Sequence, residues 1–198
     1  MFYEPKKGDH SLPKNPFNSL VIPRPIGWIT SLDANGVVNL APYSFFNAVS
    51  YRPPTVMFSA GAGPSTSEGG DWSKDSRRNI EATREFVCNL TTWDTREQMN
   101  KTSASVGMDI DEMALAGLTP EPSVLVRPPR VAEAPIHLEC RYVTSVEIPV
   151  WNEADQYFVV FGEVVGVHIR DDMITPEGLI DVAKLRPIAR LGYNDYTV

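Results

Sequence analysis

The sequence predicts a mainly β protein, an antiparallel barrel with a few short helices inserted at its edge. Three observations lead there. At least six β-prone runs recur between turn residues. These runs do not alternate with helices of about a dozen residues, which disfavours a doubly wound parallel sheet. Asn35-Gly36, set between two such runs, is a strong hairpin signal. An antiparallel barrel with Greek-key-like connections answers all three. The length, 198 residues, suits one domain over 1–198.

The elements follow in order. Residues 1–20 hold Pro, Lys, Asn and Ser and read as an extended N-terminal arm, since Pro13 and Pro16 bias the residues before them away from helix. Gly27-Trp28-Ile29-Thr30-Ser31-Leu32 is β-prone, 33–36 is a turn, and Val37-Val38-Asn39-Leu40-Ala41 returns. Pro53-Pro54 leads into the strand Val56-Met57-Phe58-Ser59-Ala60. Residues 61–73, rich in Gly, Pro, Ser and Thr, read as a loop. A short helix is expected over 75–84 with Asp75 able to cap it, then a strand Phe86-Val87-Cys88-Asn89-Leu90. A helix over 94–104 carries Asp94 and Glu97 at capping-box spacing. A further one over 110–116 has Asp109 before it and Gly117 after it. Proline-rich linkers fill 120–135. Two long strands cover 136–146 and 157–169, and 181–184 makes a helical turn.

Composition excludes several functions. Hydrophobic residues make up 42% and charged residues 22%, enough for one core. No apolar run is long enough for a membrane-spanning helix. The net charge of −7 opposes non-specific binding to nucleic acid, which depends on neutralising phosphates. The N-terminus lacks the apolar centre of a secretory signal, and Cys88 and Cys140 sit singly in apolar runs as reduced core thiols. Together these point to the cytoplasm. His10, His137 and His168 are far apart, so no metal-ligand cluster forms. Neither a P-loop nor a Gly-x-Ser-x-Gly elbow occurs, and Gly61-Ala62-Gly63 lacks the rest of a dinucleotide fingerprint.

Two segments stay chemically suggestive. Asn39-Leu40-Ala41-Pro42-Tyr43-Ser44-Phe45-Phe46-Asn47 leaves a strand through a proline and then crowds aromatics, a hydroxyl and an amide together. Pro42 has no N–H, so an ordinary central strand should end or bulge there. The freed backbone groups and aromatic faces suit a flat heteroaromatic ring, although a turn followed by buried aromatics has the same composition. Ser73-Lys74-Asp75-Ser76-Arg77-Arg78-Asn79 places hydroxyls and cations at a helix start. That suits a phosphate, and equally a solvated helix end.

These segments, with Arg24-Pro25-Ile26-Gly27-Trp28-Ile29-Thr30-Ser31 before them, resemble the flavin reductase-like, FMN-binding split-barrel family, and within it the flavoredoxin and DIM6/NTAB branch. Further matches are Glu85-Phe86-Val87-Cys88-Asn89-Leu90, Phe161-Gly162-Glu163-Val164-Val165-Gly166 and Arg186-Pro187-Ile188-Ala189-Arg190-Leu191-Gly192-Tyr193. The resemblance runs from about residue 10 to the end. It implies a split β-barrel and a homodimer with FMN near the interface, FAD sharing the same ring. By the same analogy Thr30, Ser31 and Leu32 line the isoalloxazine. Asn39, Ala41, Pro42, Tyr43, Ser44 and Asn47 border the ring and ribityl chain. Lys74, Ser76 and Arg78 meet the phosphate, and Arg190 and Tyr193 approach late in the chain. The expected chemistry is hydride transfer from NAD(P)H to flavin, with electrons passed on to an oxygenase or another acceptor protein. The residues before Gly162, Gln156-Tyr157-Phe158-Val159-Val160-Phe161, lack the His that two-component flavin reductases often carry there. An FMN-binding electron carrier reduced by a partner protein, and a non-flavin split-barrel interaction module, therefore stand as alternatives.

Overall fold

The computed structural model describes residues 1–61, 75–104, 106–107, 110–152 and 155–198. The expected loop residues 62–73, Lys74 and the expected cap Asp109 lie outside them. In chain order the strands and helices are β1 (Arg24–Pro25), β2 (Gly27–Leu32), β3 (Val38–Tyr43), β4 (Phe46–Tyr51), β5 (Pro54–Gly61), α1 (Asp75–Thr83), β6 (Glu85–Leu90), α2 (Arg96–Lys101), α3 (Glu112–Leu115), β7 (Pro120–Glu121), β8 (Arg130–Val131), β9 (Ile136–Ile148), β10 (Tyr157–Ile169), α4 (Val182–Leu185), β11 (Ala189–Arg190) and β12 (Tyr196–Thr197).

The main sheet has seven antiparallel strands in the order β3-β2-β6-β9-β10-β5-β4. Its edges, β3 and β4, are consecutive in the chain yet do not pair, so the split in the barrel falls at Ser44-Phe45. Two smaller groupings, β1-β11-β12 and β7-β8, lie beside it.

Alternation along β2 explains how one strand serves two cores. Successive side chains point to opposite faces. Ile29 joins Phe58, Phe86, Cys88, Cys140 and Val160 in one apolar cluster, with Ile80 of α1 added to it. Trp28 joins Leu40, Met99 of α2 and Met113 of α3 in the other. Both faces are thus covered, and Gly27 through Ser31 are all buried. Gly162 is required by packing: a Cβ there would overlap the buried Phe86 ring. The β2–β3 hairpin forms as expected, with Gly36 at φ +87° and Asp33 Oδ1 accepting from the N–H groups of Asn35 and Val37 at 2.8 and 2.7 Å.

Several expectations need correction. The chain does not leave the sheet at Pro42, which pairs across from Trp28 inside β3. An edge strand tolerates a missing donor, so the proline interrupts no ladder on its open side. The residues after it form a strand of their own, β4, paired with β5. The helix expected over 94–104 is only the six residues of α2. The Asp94–Glu97 capping box does not form: the N-cap is Thr95, whose hydroxyl accepts instead from the N–H of Thr92 at 3.1 Å. The helix expected over 110–116 is α3, capped by Asp111, whose carboxylate accepts from the Ala114 N–H at 3.0 Å. The arm contains one 3-10 turn, Phe17–Ser19. The linker 120–135 contains the short β7–β8 pair.

Candidate functional site

Strands β2 and β3 and helix α1 enclose a layer of buried polar groups. Ser31 on β2 is fully buried there, with Asn39 on β3 and Ser76 and Asn79 on α1 nearly so; Thr30, also fully buried, points to the opposite face of β2 with Trp28. The Ser76 hydroxyl donates to Asn39 Oδ1 at 3.1 Å. The Asn39 amide donates to both carboxylate oxygens of Glu112 at 3.3 Å, and the Leu40 N–H donates to the same carboxylate at 3.0 Å. Asn89 donates to the Thr30 hydroxyl at 2.8 Å. Asn79 lies 3.5 Å from Ser31 Oγ. Buried polar groups persist when they are paired in this way, and each becomes costly once its partner is removed.

Charge in this layer is tuned by burial. Burial pushes the Tyr43 phenol up to about 12, with nearby Asp75 and Glu112 adding to the effect and Ser76 opposing it. Tyr43 therefore remains an O–H donor throughout the neutral range. Burial also raises Glu112, against the hydrogen bonds from Leu40 and Asn39. Beside the layer a cavity of about 460 Å³ opens between Asn39, Asp75, Arg78 and Glu112. Arg78 donates to Asp75 Oδ1 at 2.5 Å across one helical turn.

A second cavity, of about 480 Å³, lies at the split. Pro42 and Ser44 reach it from the end of β3, Arg24 from β1, and Arg190, Tyr193 and Tyr196 from the C-terminal segment. Arg24 donates to the carbonyl oxygens of Asn18 and Val21, holding the arm across the opening. Its Nε lies 3.4 Å from Ser44 Oγ. Arg190 donates to the Tyr193 carbonyl and the Tyr196 hydroxyl. Tyr193 adopts φ +51°, uncommon for a bulky residue.

The residues expected at a site thus fall into two neighbouring groups joined by β3. Ser31, Asn39, Tyr43, Ser76 and Arg78 belong to the first, and Pro42, Ser44, Arg190 and Tyr193 to the second; Thr30 faces away from both, toward Asn89. Leu32 and Ala41 are half-buried on β2 and β3. Asn47 is brought to neither: it is exposed on β4, where its Oδ1 accepts from the N–H of Ala48 at 2.9 Å. Sequence reasoning missed Glu112, Asn79 and Arg24 as members of these groups. For Arg24 a signal existed, a cation directly before the buried run of β2. Glu112 sits in a four-residue helix whose pattern gives no hint that its carboxylate turns inward.

Comparison with known proteins agrees with this architecture. The chain is 36% identical over 177 residues to an uncharacterised protein of Aquifex aeolicus, covering 89% of this chain and 85% of that one. Among solved structures it resembles nitrilotriacetate monooxygenase component B from Bacillus cereus, with a TM-score of 0.86 and 29% identity over 100% of this chain and 94% of that one. It also resembles the 2-nitrobenzoate 2-nitroreductase of Pseudomonas fluorescens, with a TM-score of 0.77 and 30% identity over 91% of this chain and 82% of that one. The model of the family described as "Flavin reductase like domain" matches residues 19–188, nearly the whole described barrel, and the chain belongs to that family.

Proposed function

We propose that the chain binds FMN and acts as a flavin-dependent oxidoreductase that takes a hydride from NADH or NADPH. The observation that carries this reading is the buried polar layer of Ser31, Asn39, Tyr43 and Ser76, in a chain of this family. The donor set fits a flavin. Hydroxyls and amides on two adjacent strands offer both donors and acceptors to a ring edge that needs both, and Tyr43 adds a protonated phenol. Ser76 and Arg78 on α1, with Lys74 as read from the sequence, would hold the phosphate. When bound, the flavin supplies the hydride and electron chemistry. The chain's own residues bind and orient it, and the buried β2–β3 layer shields one side from solvent.

The likeness to a monooxygenase component B supports an oxygenase as recipient of the reduced flavin. The likeness to a nitroreductase supports a small-molecule acceptor instead. The missing His before Gly162 favours a second reading, an FMN-binding carrier reduced by a partner protein. A homodimer is supported by the exposed apolar residues of β4, β9 and β10, among them Val49, Tyr51, Val146 and Tyr157. A cytoplasmic location is supported by two free, buried cysteines. Among the described residues no helix is long and apolar enough to cross a membrane.

The test is the visible absorption spectrum of the purified protein before and after added FMN or FAD, followed by rapid mixing with NADH and NADPH. A bound flavin identified as FMN after denaturation, and bleached by either nucleotide, is the expected result. Bound FMN that neither nucleotide bleaches would replace the reductase with the carrier. No uptake of either flavin would overturn flavin binding and leave the non-flavin interaction module.

A further inference from the structure

The cavity at the split has an unusual charge arrangement. Arg24 and Arg190 stand directly opposite each other in the β1–β11 pair. Like charges at such positions repel and are ordinarily avoided. The lining holds these two guanidinium groups with asparagines, serines and tyrosines and not one carboxylate. Neither arginine forms an ion pair with any described residue, although the chain carries a net charge of −7. A third cation is close by, with Lys14 Nζ 5.5 Å from the centre of the Tyr193 ring. Arg24 is 93% buried, as its 7% exposure shows. Burial first, and the charge of Arg190 second, lower its guanidinium below the usual value. Carbonyl and hydroxyl partners take up several of the donors, but they supply no counter-charge.

A buried cation facing another across a strand pair is costly unless an anion joins it. Guanidinium groups match carboxylate and phosphate in shape as well as charge. We propose that the cavity between Arg24 and Arg190 is an oxyanion site, which holds the carboxylate or phosphate of a small ligand beside Pro42 and Ser44. The site goes beyond the flavin reading, which assigns the flavin phosphate to the start of α1.

Titration calorimetry on the full chain in low-salt buffer tests this, with inorganic phosphate and sodium benzoate as probes. Two variants accompany the wild type. Arg190→Gln removes one of the two charges. Asn194→Asp places a carboxylate in the lining with almost no change of shape, so it remains informative if Arg190→Gln fails to fold. The wild type is expected to bind at least one probe, and both variants to bind it tenfold more weakly or worse. Binding of benzoate alone, or of phosphate alone, identifies which oxyanion the ligand carries. The titration is repeated on protein loaded with FMN, with loading read from visible absorption. Anion binding that survives loading supports a separate site. Binding abolished by FMN would make this the flavin's own phosphate site and overturn the proposal. So would no binding of either probe, or equal binding by the variants. Anion binding by a chain that takes up no flavin would leave this site standing and the flavin reading fallen.

Discussion

Glu139 and His137 set the acid response of the barrel. Glu139 is fully buried on β9 and accepts from the N–H groups of Val124 and Leu125 at 2.7 and 2.6 Å and from His168 Nε2 at 2.5 Å. Burial alone would raise its carboxyl, but the Val124, His168 and Leu125 hydrogen bonds outweigh that and hold it below its ordinary 4.5. His137 is shifted in the same direction, by burial. Burial, with Arg130 and His168 assisting, lowers it below 6.5, against the Val131 carbonyl and Glu121. In both cases the unfolded chain binds protons more readily than the folded one, so stability rises with pH. The His137 contribution is lost as pH falls from about 6.5, and that of Glu139 as it falls from about 4.5. Urea unfolding as a function of pH should show two descending steps, and His137→Gln should remove the upper one. Glu139→Gln should cost about 3 kcal/mol at neutral pH, because it weakens three hydrogen bonds to a fully buried group. Neither role was legible in the sequence, where His137 and His168 read only as histidines too far apart to share a metal. Alternation with Ile136 and Leu138 says which side of the strand His137 takes, but not that a second layer covers that side. Asn89 makes the same point. It begins a glycosylation sequon, yet its side chain is buried and donates to the Trp28 carbonyl at 3.0 Å.

Long elements were legible and short ones were not, for a reason visible in their burial. β10 was expected over the same residues it occupies, because thirteen largely apolar positions give a strong signal. β4 was missed because none of its residues is fully buried, so it shows no inward–outward alternation. β1, β7, β8, β11 and β12 are two residues each and exist only through their partners. The second half of β3 was misread because a proline ends a central strand but not an edge strand, and position in the sheet is a tertiary property. Packing between elements also sets the most sensitive backbone position. Gly162→Ala should destabilise the barrel by about 1–3 kcal/mol through overpacking against Phe86. The companion change Phe86→Leu should recover part of that loss in the same denaturant titration, since it vacates the space the new methyl needs.

At the scale of the molecule, the split leaves β4 as an open edge carrying Val49 and the nearly fully exposed Tyr51. Monomers usually guard such edges with charge or cover. Sedimentation velocity is expected to show a two-chain species, and Val49→Lys should shift it toward one chain without loss of fold. An unchanged single-chain mass for the wild type would remove the dimer from the proposed function. This surface was not visible from the residues alone; only the resemblance implied it.

The contacts of Arg24 also tie together two stretches of chain far apart in the sequence. Its guanidinium grips the arm, its backbone pairs with Arg190, and Gly192 lies so close to Ser19 that a Cβ would meet that residue's side chain. A nascent chain can curl its barrel early, but this closure has to wait for residues near 190. Ligand binding at the split then reports that these two stretches have met.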